Sequence, residues 1–326
     1  MIALARRAKP RPPVPQTDAL PALVSAAGER ASIRFMEFFA VTIRNPHTRR
    51  AYMRAVADFL AWCEDAGVRS IAEVQPLHVA AWVEMQTRER AAPTAKQRLA
   101  AVRHLFDWLV TGQIVPTNPA ASVRGPSHSA RKGKTPVLDP AEARALLDSI
   151  DITTPAGLRD RALIALMVYS FARIGAALAM QVEDVFTQKR RLWVRLREKG
   201  GKHHEMPCHH NLEAYLVAYI ERAGLADDPK GPLFRTIGRG TGRLTKTPLP
   251  QANAYAMIGR RATAAGIETK VGNHSFRATG ITAYLKNGGT LENAAAMANH
   301  ASTRTTQLYD RRQDDISLDE VERIRV

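Results

Sequence analysis

The stretch PTNPAASVRGPSHSARKGKTP, residues 116–136, divides this sequence into two parts. It is rich in proline, serine, glycine and basic side chains, and its few apolar residues follow no helical or strand period, which is typical of a linker. We place the linker at residues 121–136. The length of 326 residues also favours two domains, because one domain usually takes ~100–200 residues.

The part before the linker carries helical patterns. Asn45 followed by Pro46 is a typical helix start, and apolar residues recur on one helix face until Gly67 ends the pattern. Two further amphipathic helices are predicted before the linker. We therefore predict a helical domain over residues 29–120. The proline-rich residues 1–28, basic at their start, are interpreted as a flexible basic arm.

The residue pattern after the linker, over residues 137–326, predicts helices with a small antiparallel sheet. Asp139-Pro140-Ala141-Glu142 is a capping box that begins a helix. The run from Leu192 to Arg197 alternates apolar and polar residues, meets Gly200-Gly201 and resumes towards Met206, which predicts a β-hairpin with Lys199 at its turn. A last helix is predicted at about 317–326, with an apolar stripe that suits docking on a neighbouring protomer or on its own domain.

The charge balance points to a polyanionic partner. Lysine and arginine number 47 against 31 aspartate and glutamate, a formal net charge of +16. Each phosphate that such a surface contacts releases counterions and adds affinity. Seven basic residues and one acidic residue lie between Phe186 and His204, a cluster that favours a contact surface. General solubility stays open as the alternative explanation of the charge.

Several other classes of protein fit the sequence poorly. Two cysteines, Cys63 and Cys208, cannot form a disulfide framework, and the absence of a signal-like or membrane-length apolar run favours a cytoplasmic protein with no membrane partner. The histidine-rich stretch at residues 203–210 does not have the spacing of a zinc site. The glycines of residues 238–242 lack the lysine of a phosphate-binding loop. We therefore expect neither metal nor cofactor.

Several side chains in the second half of the sequence together suit phosphoryl transfer to a tyrosine. His274 and Arg277 are three residues apart and can address one anionic group, and Arg173 follows an apolar helix directly. The Tyr309 hydroxyl would be the nucleophile, and Lys199 would protonate the leaving 5′-oxygen as general acid. Each motif is weak when taken singly. The candidate catalytic residues are Arg173, Lys199, His274, Arg277, His300 and Tyr309.

These motifs resemble those of the tyrosine recombinases, also called the phage integrase family, over about residues 30–326. The stretch YSFARIG at 169–175 resembles the first arginine box of the family, and EKGGK at 198–202 resembles its lysine box. HSFRATG at 274–280 resembles the box with a histidine and the second arginine, and ANHASTRTTQLY at 298–309 resembles the box that ends in the nucleophile. Their order along the chain also fits.

The resemblance implies a site-specific DNA recombinase of the simple two-domain Xer-like type. Its fold would be mainly α with a small antiparallel β-sheet, a helical SAM-like core-binding domain joined to a mixed α/β catalytic domain, which together clamp duplex DNA. The enzyme would act through a 3′-phosphotyrosyl intermediate without metal or ATP, as a homotetramer in the synaptic complex and a monomer or dimer in solution. A mobile element is the preferred setting, in the bacterial cytosol. The expected DNA contacts are Arg49, Arg50, Arg131, Lys132, Lys134, Lys202 and Arg243.

The sequence departs from the family pattern at three positions. Ala176 stands where many relatives carry an acidic residue three after the first arginine, so a supporting carboxylate is missing or supplied elsewhere. Ala278 replaces a second histidine, and Asn299 replaces a glycine before the last histidine. A DNA-binding protein that shares the fold but does not cleave, and a type IB topoisomerase, remain the alternative hypotheses.

Overall fold

The computed structural model describes residues 20–129, 133–198 and 203–310, in two compact units divided between residues 129 and 130. Both units are mainly helical, and the second also holds two small antiparallel sheets. The predicted fold class is therefore confirmed. Within these residues, no helix is long and apolar enough to cross a membrane.

The first unit is a helical cluster around one apolar core. In α3 the Asn45 side chain accepts hydrogen bonds from the backbone N–H groups of His47 and Thr48, as the predicted helix start requires. Phe59 of this helix packs edge-on against Trp82 with ring centroids 5.1 Å apart. The helices are α1 (Ala22–Ala26), α2 (Glu29–Glu37), α3 (Pro46–Asp65), α4 (Pro76–Glu89) and α5 (Ala92–Thr111), with a π-helical turn at Phe38–Thr42 after α2.

The interpretation of residues 1–28 as a flexible arm does not hold for their described part. Residues 22–26 form α1, and its Leu23 and Val24 side chains are fully buried in the core of the first unit. Burial of two large apolar side chains fixes this short segment although it is too short to be a stable helix alone. Residues 1–19 of the predicted arm lie outside the described residues.

The second unit consists of helices with two antiparallel sheets. The Asp139 capping box forms as predicted, with both reciprocal hydrogen bonds to Glu142. The helices are α6 (Pro140–Asp148), α7 (Pro155–Tyr169), α8 (Ile174–Leu178), α9 (His210–Arg222), α10 (Gln251–Ala264), α11 (Ser275–Lys286), α12 (Leu291–Met297) and α13 (Thr303–Gln307). The strands are β1 (Val185–Gln188), β2 (Arg191–Arg197), β3 (His203–Pro207), β4 (Arg235–Ile237) and β5 (Leu244–Pro248).

The predicted hairpin is confirmed as the β2–β3 pair. The two strands pair antiparallel, with Leu196 opposite His204 and Arg197 opposite His203. Strand β1 extends this sheet on the other side of β2, and β4 and β5 form a separate pair. The residues between β2 and β3 that carry Lys199 lie outside the described residues, apart from Glu198.

The close approach of α11 to α7 depends on Gly280. A β-carbon at Gly280 would lie 2.0 Å from the carbonyl oxygen of Val168 and 2.8 Å from the Phe171 ring. We therefore expect Gly280→Ala to lower the free energy of unfolding by about 1–3 kcal/mol, because the backbone contact must open. Chemical denaturation measures this, and Gly259→Ala in α10 is the matched control.

A β-carbon at Gly259 meets no atom within 4 Å. Gly259→Ala should therefore leave the free energy of unfolding unchanged or raise it by up to about 1 kcal/mol. Equal stabilities for the two alanine variants would contradict the role given to the Gly280 contact.

Candidate active site

The second unit brings five of the six predicted catalytic side chains to one site. Arg173 caps the start of α8, His274 and Arg277 lie at the start of α11, His300 follows α12, and Tyr309 follows α13. Boxes far apart in sequence meet because α11 packs on α7 and α12 packs on both α11 and α13. Lys199 lies outside the described residues, as do Arg131, Lys132, Lys202 and the predicted helix at about 317–326.

Arg277 is the buried centre of this site. Its side chain is 1% exposed, and its guanidinium donates hydrogen bonds to the carbonyl oxygens of Phe171 and Ala298 and to Nε2 of His300. Burial lowers the pKa of Arg277 to about 10, with a further lowering by Arg173. The group therefore keeps its proton at neutral pH, so a positive charge is held in a largely desolvated place.

An unusual backbone conformation directs one of these carbonyl groups. Phe171 has a φ of 53°, in the left-handed region that a bulky residue adopts only when its surroundings force it. Its side chain is buried beside Ile281 and Leu285, and its carbonyl oxygen points to Arg277. Phe171, two residues before Arg173, therefore also orients Arg277.

His300 is held as a neutral imidazole with a defined tautomer. Arginine can only donate hydrogen bonds, so Nε2 of His300, 2.7 Å from the Arg277 guanidinium, must accept. The proton then lies on Nδ1, which is 2.8 Å from the Thr306 hydroxyl. Burial, reinforced by Arg277 and Arg173, lowers the pKa of His300 to about 4.

This lowered pKa predicts a pH-dependent stability. Between its usual 6.5 and about 4, the unfolded chain binds a proton at His300 that the folded chain refuses. The free energy of unfolding should therefore fall by about 1–3 kcal/mol as the pH decreases through this window. Chemical denaturation from pH 7 to pH 4 measures the fall, and His300→Gln should make it smaller.

The exposed His128 provides the control, since His128→Gln should leave the pH dependence of stability unchanged. A His300→Gln profile that falls as steeply as the wild-type profile would contradict the neutral, hydrogen-bonded imidazole.

Tyr309 is placed beside this pair by the last described turn. The Thr282 hydroxyl of α11 donates to the Tyr309 carbonyl oxygen at 2.8 Å, and the Tyr309 ring stacks on the His300 ring at 10° with centroids 5.9 Å apart. The electrostatic interaction of Tyr309 with Arg277 raises the pKa of the arginine and so favours its charged form. The phenol therefore lies within reach of the group that would hold a phosphate.

Arg173 makes an ion pair that the sequence did not predict. Its Nη1 contacts a carboxylate oxygen of Glu198, the residue that follows β2. The Glu198 side chain is 4% exposed and that of Arg173 is 34% exposed. Glu198 belongs to the stretch that resembles the lysine box, but the sequence assigns it no role. The signal that indicates one is an acidic residue at position 198 in a chain with alanine at position 176.

His274 completes the described part of the site. It precedes α11 and is exposed, and partial burial together with the charges of Arg277 and Arg173 lowers its pKa below the usual value of 6.5. Both histidines of the site therefore favour the uncharged form at neutral pH. The arrangement suits a phosphate, with two arginines to hold its oxygens and uncharged imidazoles beside them.

Two of the three departures from the family pattern have a local explanation. Asn299 follows α12 with a φ of 47°, a conformation in which glycine is most common and asparagine next. Asparagine can therefore replace the glycine while the backbone still turns His300 towards Arg277. Ala278 is fully buried, so a small side chain fits the packed start of α11.

The predicted DNA contacts that fall in the described residues are cationic and partly or fully exposed. Arg49 and Arg50 lie near the start of α3, where Arg49 donates to the Ile43 carbonyl and Arg50 bonds to His47. Lys134 lines an open groove that His274 also lines, and Arg243 lies on the loop between β4 and β5. In the described parts of the chain, no group of three or more histidine, cysteine or acidic residues could hold a metal ion.

Sequence patterns of known families match both parts of the chain. The sequence pattern described as "Phage integrase family" matches residues 136–315, and that of "Phage integrase, N-terminal SAM-like domain" matches residues 34–113. The chain is 24% identical to the tyrosine recombinase XerC of Salmonella typhi over 279 residues, which are 85% of this chain and 89% of the relative.

It is also 29% identical to the tyrosine recombinase XerD of Corynebacterium glutamicum over 274 residues, 81% of this chain and 86% of the relative. Among solved structures, the fold is similar to a lambda integrase tetramer bound to a Holliday junction, with a TM-score of 0.65 and 17% identity. That match covers 88% of this chain and 79% of the integrase.

Proposed function

Because the chain belongs to the phage integrase family, we propose that Tyr309 is the nucleophile of a site-specific tyrosine recombinase that cuts and rejoins duplex DNA. One observation carries this proposal: Tyr309 lies against a neutral His300 that is hydrogen-bonded to the buried, charged Arg277. A phenol beside a fixed cation suits attack on a phosphodiester, since the cation stabilises charge on the phosphate oxygens in the transition state.

The cleavage step assigns a role to five of the six predicted catalytic residues. The Tyr309 oxygen forms a bond to the scissile phosphorus while the bond to the 5′-oxygen breaks, and the phenolic proton passes to the uncharged imidazole of His274. Arg173 and Arg277 hold the non-bridging oxygens, and Lys199 protonates the leaving 5′-oxygen. The product is a 3′-phosphotyrosyl ester and a free 5′-hydroxyl.

Rejoining reverses the step with another strand. The 5′-hydroxyl of a partner duplex attacks the phosphotyrosyl ester, and the bond from phosphorus to the Tyr309 oxygen breaks to release the phenol. The number of phosphodiester bonds is therefore conserved, and no external energy source is needed. Four protomers would act on two duplexes; the similar lambda integrase structure is likewise a tetramer, bound to a Holliday junction. The helical residues 29–120 would bind the core of the DNA site, residues 137–326 would carry catalysis, and residues 121–136 would link them.

The setting that we propose is bacterial DNA in the cytosol, at the recombination site of a mobile element. The DNA contacts are proposed from the positive charges in the sequence. They are Arg49, Arg50, Arg131, Lys132, Lys134, Lys202 and Arg243.

Covalent trapping tests the activity directly. Nicked duplexes cut from the DNA that flanks the native gene are incubated with the protein, and a denaturing gel is scored for a protein–DNA band. We expect such a band at one sequence. Binding across the whole region without a covalent band would favour the DNA-binding protein that does not cleave, and relaxation of supercoiled plasmids without a preferred sequence would favour a type IB topoisomerase.

A further inference from the structure

The first arginine of the site lacks its usual partner on its own helix. In α8 the third residue after Arg173 is Ala176, whose methyl group is 5% exposed among apolar residues. The residues of α8 read IGAAL, so this helix supplies no carboxylate at all. A long arginine side chain that must present a fixed fork to a phosphate then needs an anchor from elsewhere.

Glu198 provides a carboxylate at this place from a different element. It follows β2, and β2 packs against α8. Among the described residues, the guanidinium of Arg173 has this carboxylate as its one hydrogen-bond partner, through Nη1. The other N–H groups of the guanidinium make no hydrogen bond to a described residue, and in the proposed complex they would donate to phosphate oxygens.

Glu198 is too deeply buried to serve only as a surface charge that offsets nearby cations. Its side chain is 4% exposed, and a buried carboxylate is costly unless cations face it. Two cations do so, because Glu198 pairs with Arg173 and its charge also favours the charged form of Arg277. An anion in a site built for a phosphate weakens the binding of that phosphate, so its presence needs a compensating gain in orientation.

We propose that Glu198 is the positioning residue that holds Arg173 for catalysis, in place of the carboxylate missing at position 176. Glu198 is also the residue before Lys199, the proposed general acid. The inference rests on the proposed function, because the phosphate that Arg173 is held to meet is the one that Tyr309 attacks.

The test separates catalytic rate from DNA binding in the full-length chain. Glu198→Gln keeps the size of the side chain but removes its charge, and Glu198→Asp keeps the charge on a shorter stem. The rate of covalent-complex formation is measured in single turnover, on the nicked duplex that gives the covalent band with wild type. The dissociation constant for the same duplex is measured by mobility shift. Glu205→Gln, which breaks the exposed pair with Arg195 in the β2–β3 hairpin, is the matched control.

We expect Glu198→Gln to slow cleavage by about tenfold or more, towards the roughly 100-fold that a misplaced catalytic group costs. Its dissociation constant should stay within about threefold of wild type. Glu198→Asp should recover part of the rate, and Glu205→Gln should cleave at the wild-type rate. Combined with Arg173→Lys, the Glu198→Gln change should slow cleavage less than it does alone, because the two residues act as a unit.

The opposite outcomes overturn the inference. A Glu198→Gln rate equal to or above that of wild type would show that the pair is dispensable or restrains Arg173 until DNA binds. Equal losses for Gln and Asp, or losses additive with Arg173→Lys, would show that the side chain only packs. If the wild-type chain forms no covalent complex, it is the proposed recombinase activity that fails; if wild type reacts and Glu198→Gln reacts equally fast, only the present inference fails.

Discussion

Tyr309→Phe is expected to form no covalent complex with DNA, while its dissociation constant for the same duplex stays within about threefold of wild type. The substitution removes only the attacking oxygen. The aromatic stacking on His300 and the hydrogen bond from Thr282 to the Tyr309 carbonyl both remain possible. Binding depends on many phosphate contacts, so the loss of one hydroxyl changes it little. The denaturing-gel assay and a mobility-shift titration give the two quantities.

Tyr284→Phe is the matched control for this variant. Tyr284 packs in the same small apolar cluster as Tyr309 and contacts the Phe171 ring edge-on. It should therefore report any general effect of losing a phenolic hydroxyl from this cluster, and it should cleave normally. A covalent band that persists in Tyr309→Phe would show that the nucleophile is wrongly assigned.

Arg277→Ala is expected to slow cleavage by at least about 100- to 1,000-fold, the cost of removing one well-placed donor to a transition-state oxygen. The side chain is 1% exposed and holds Phe171, Ala298 and His300 together. Its removal leaves two buried carbonyl oxygens without a donor, so a lower melting temperature is expected as well. The rate is therefore measured well below that temperature, with DNA saturating.

Arg261→Ala separates the two effects of Arg277→Ala. Arg261 donates two hydrogen bonds to the buried Asp160, at 3.0 and 2.8 Å. Its loss should destabilise the second unit without slowing cleavage by the molecules that remain folded. If Arg261→Ala slows single-turnover cleavage as much as Arg277→Ala does, the catalytic role of Arg277 is refuted.

Much of the local structure follows from the sequence because it depends on residues close together in the chain. Asn45 and Asp139 cap α3 and α6 through bonds to residues at most three positions away. The alternation in β2 likewise identified one strand of the main sheet. Segments without such local signals were missed: α1 is stabilised by burial in the core, and β4 and β5 are short strands joined by a glycine-rich loop.

In the candidate site, too, the sequence identifies the residues but not the contacts that hold them. The order and spacing of the boxes identified Arg173, His274, Arg277, His300 and Tyr309, since the residue types themselves indicate phosphoryl chemistry. The boxes do not indicate how these groups are held. The left-handed backbone at Phe171 and the carboxylate at position 198 contact residues more than 20 positions away in sequence, and no local pattern encodes such distant contacts.

The sequence by itself determined the family, the helical class of the fold and the candidate nucleophile. Capping and periodicity are properties of neighbouring residues, and the order of the motifs is a property of the linear chain. The tertiary structure alone decided the charge state of the site. The neutral tautomer of His300 depends on Arg277, 23 positions earlier in sequence, and the partner of Arg173 lies on another element, 25 positions further on. Burial and long-range pairing set protonation and orientation, and both exist only once the chain has folded.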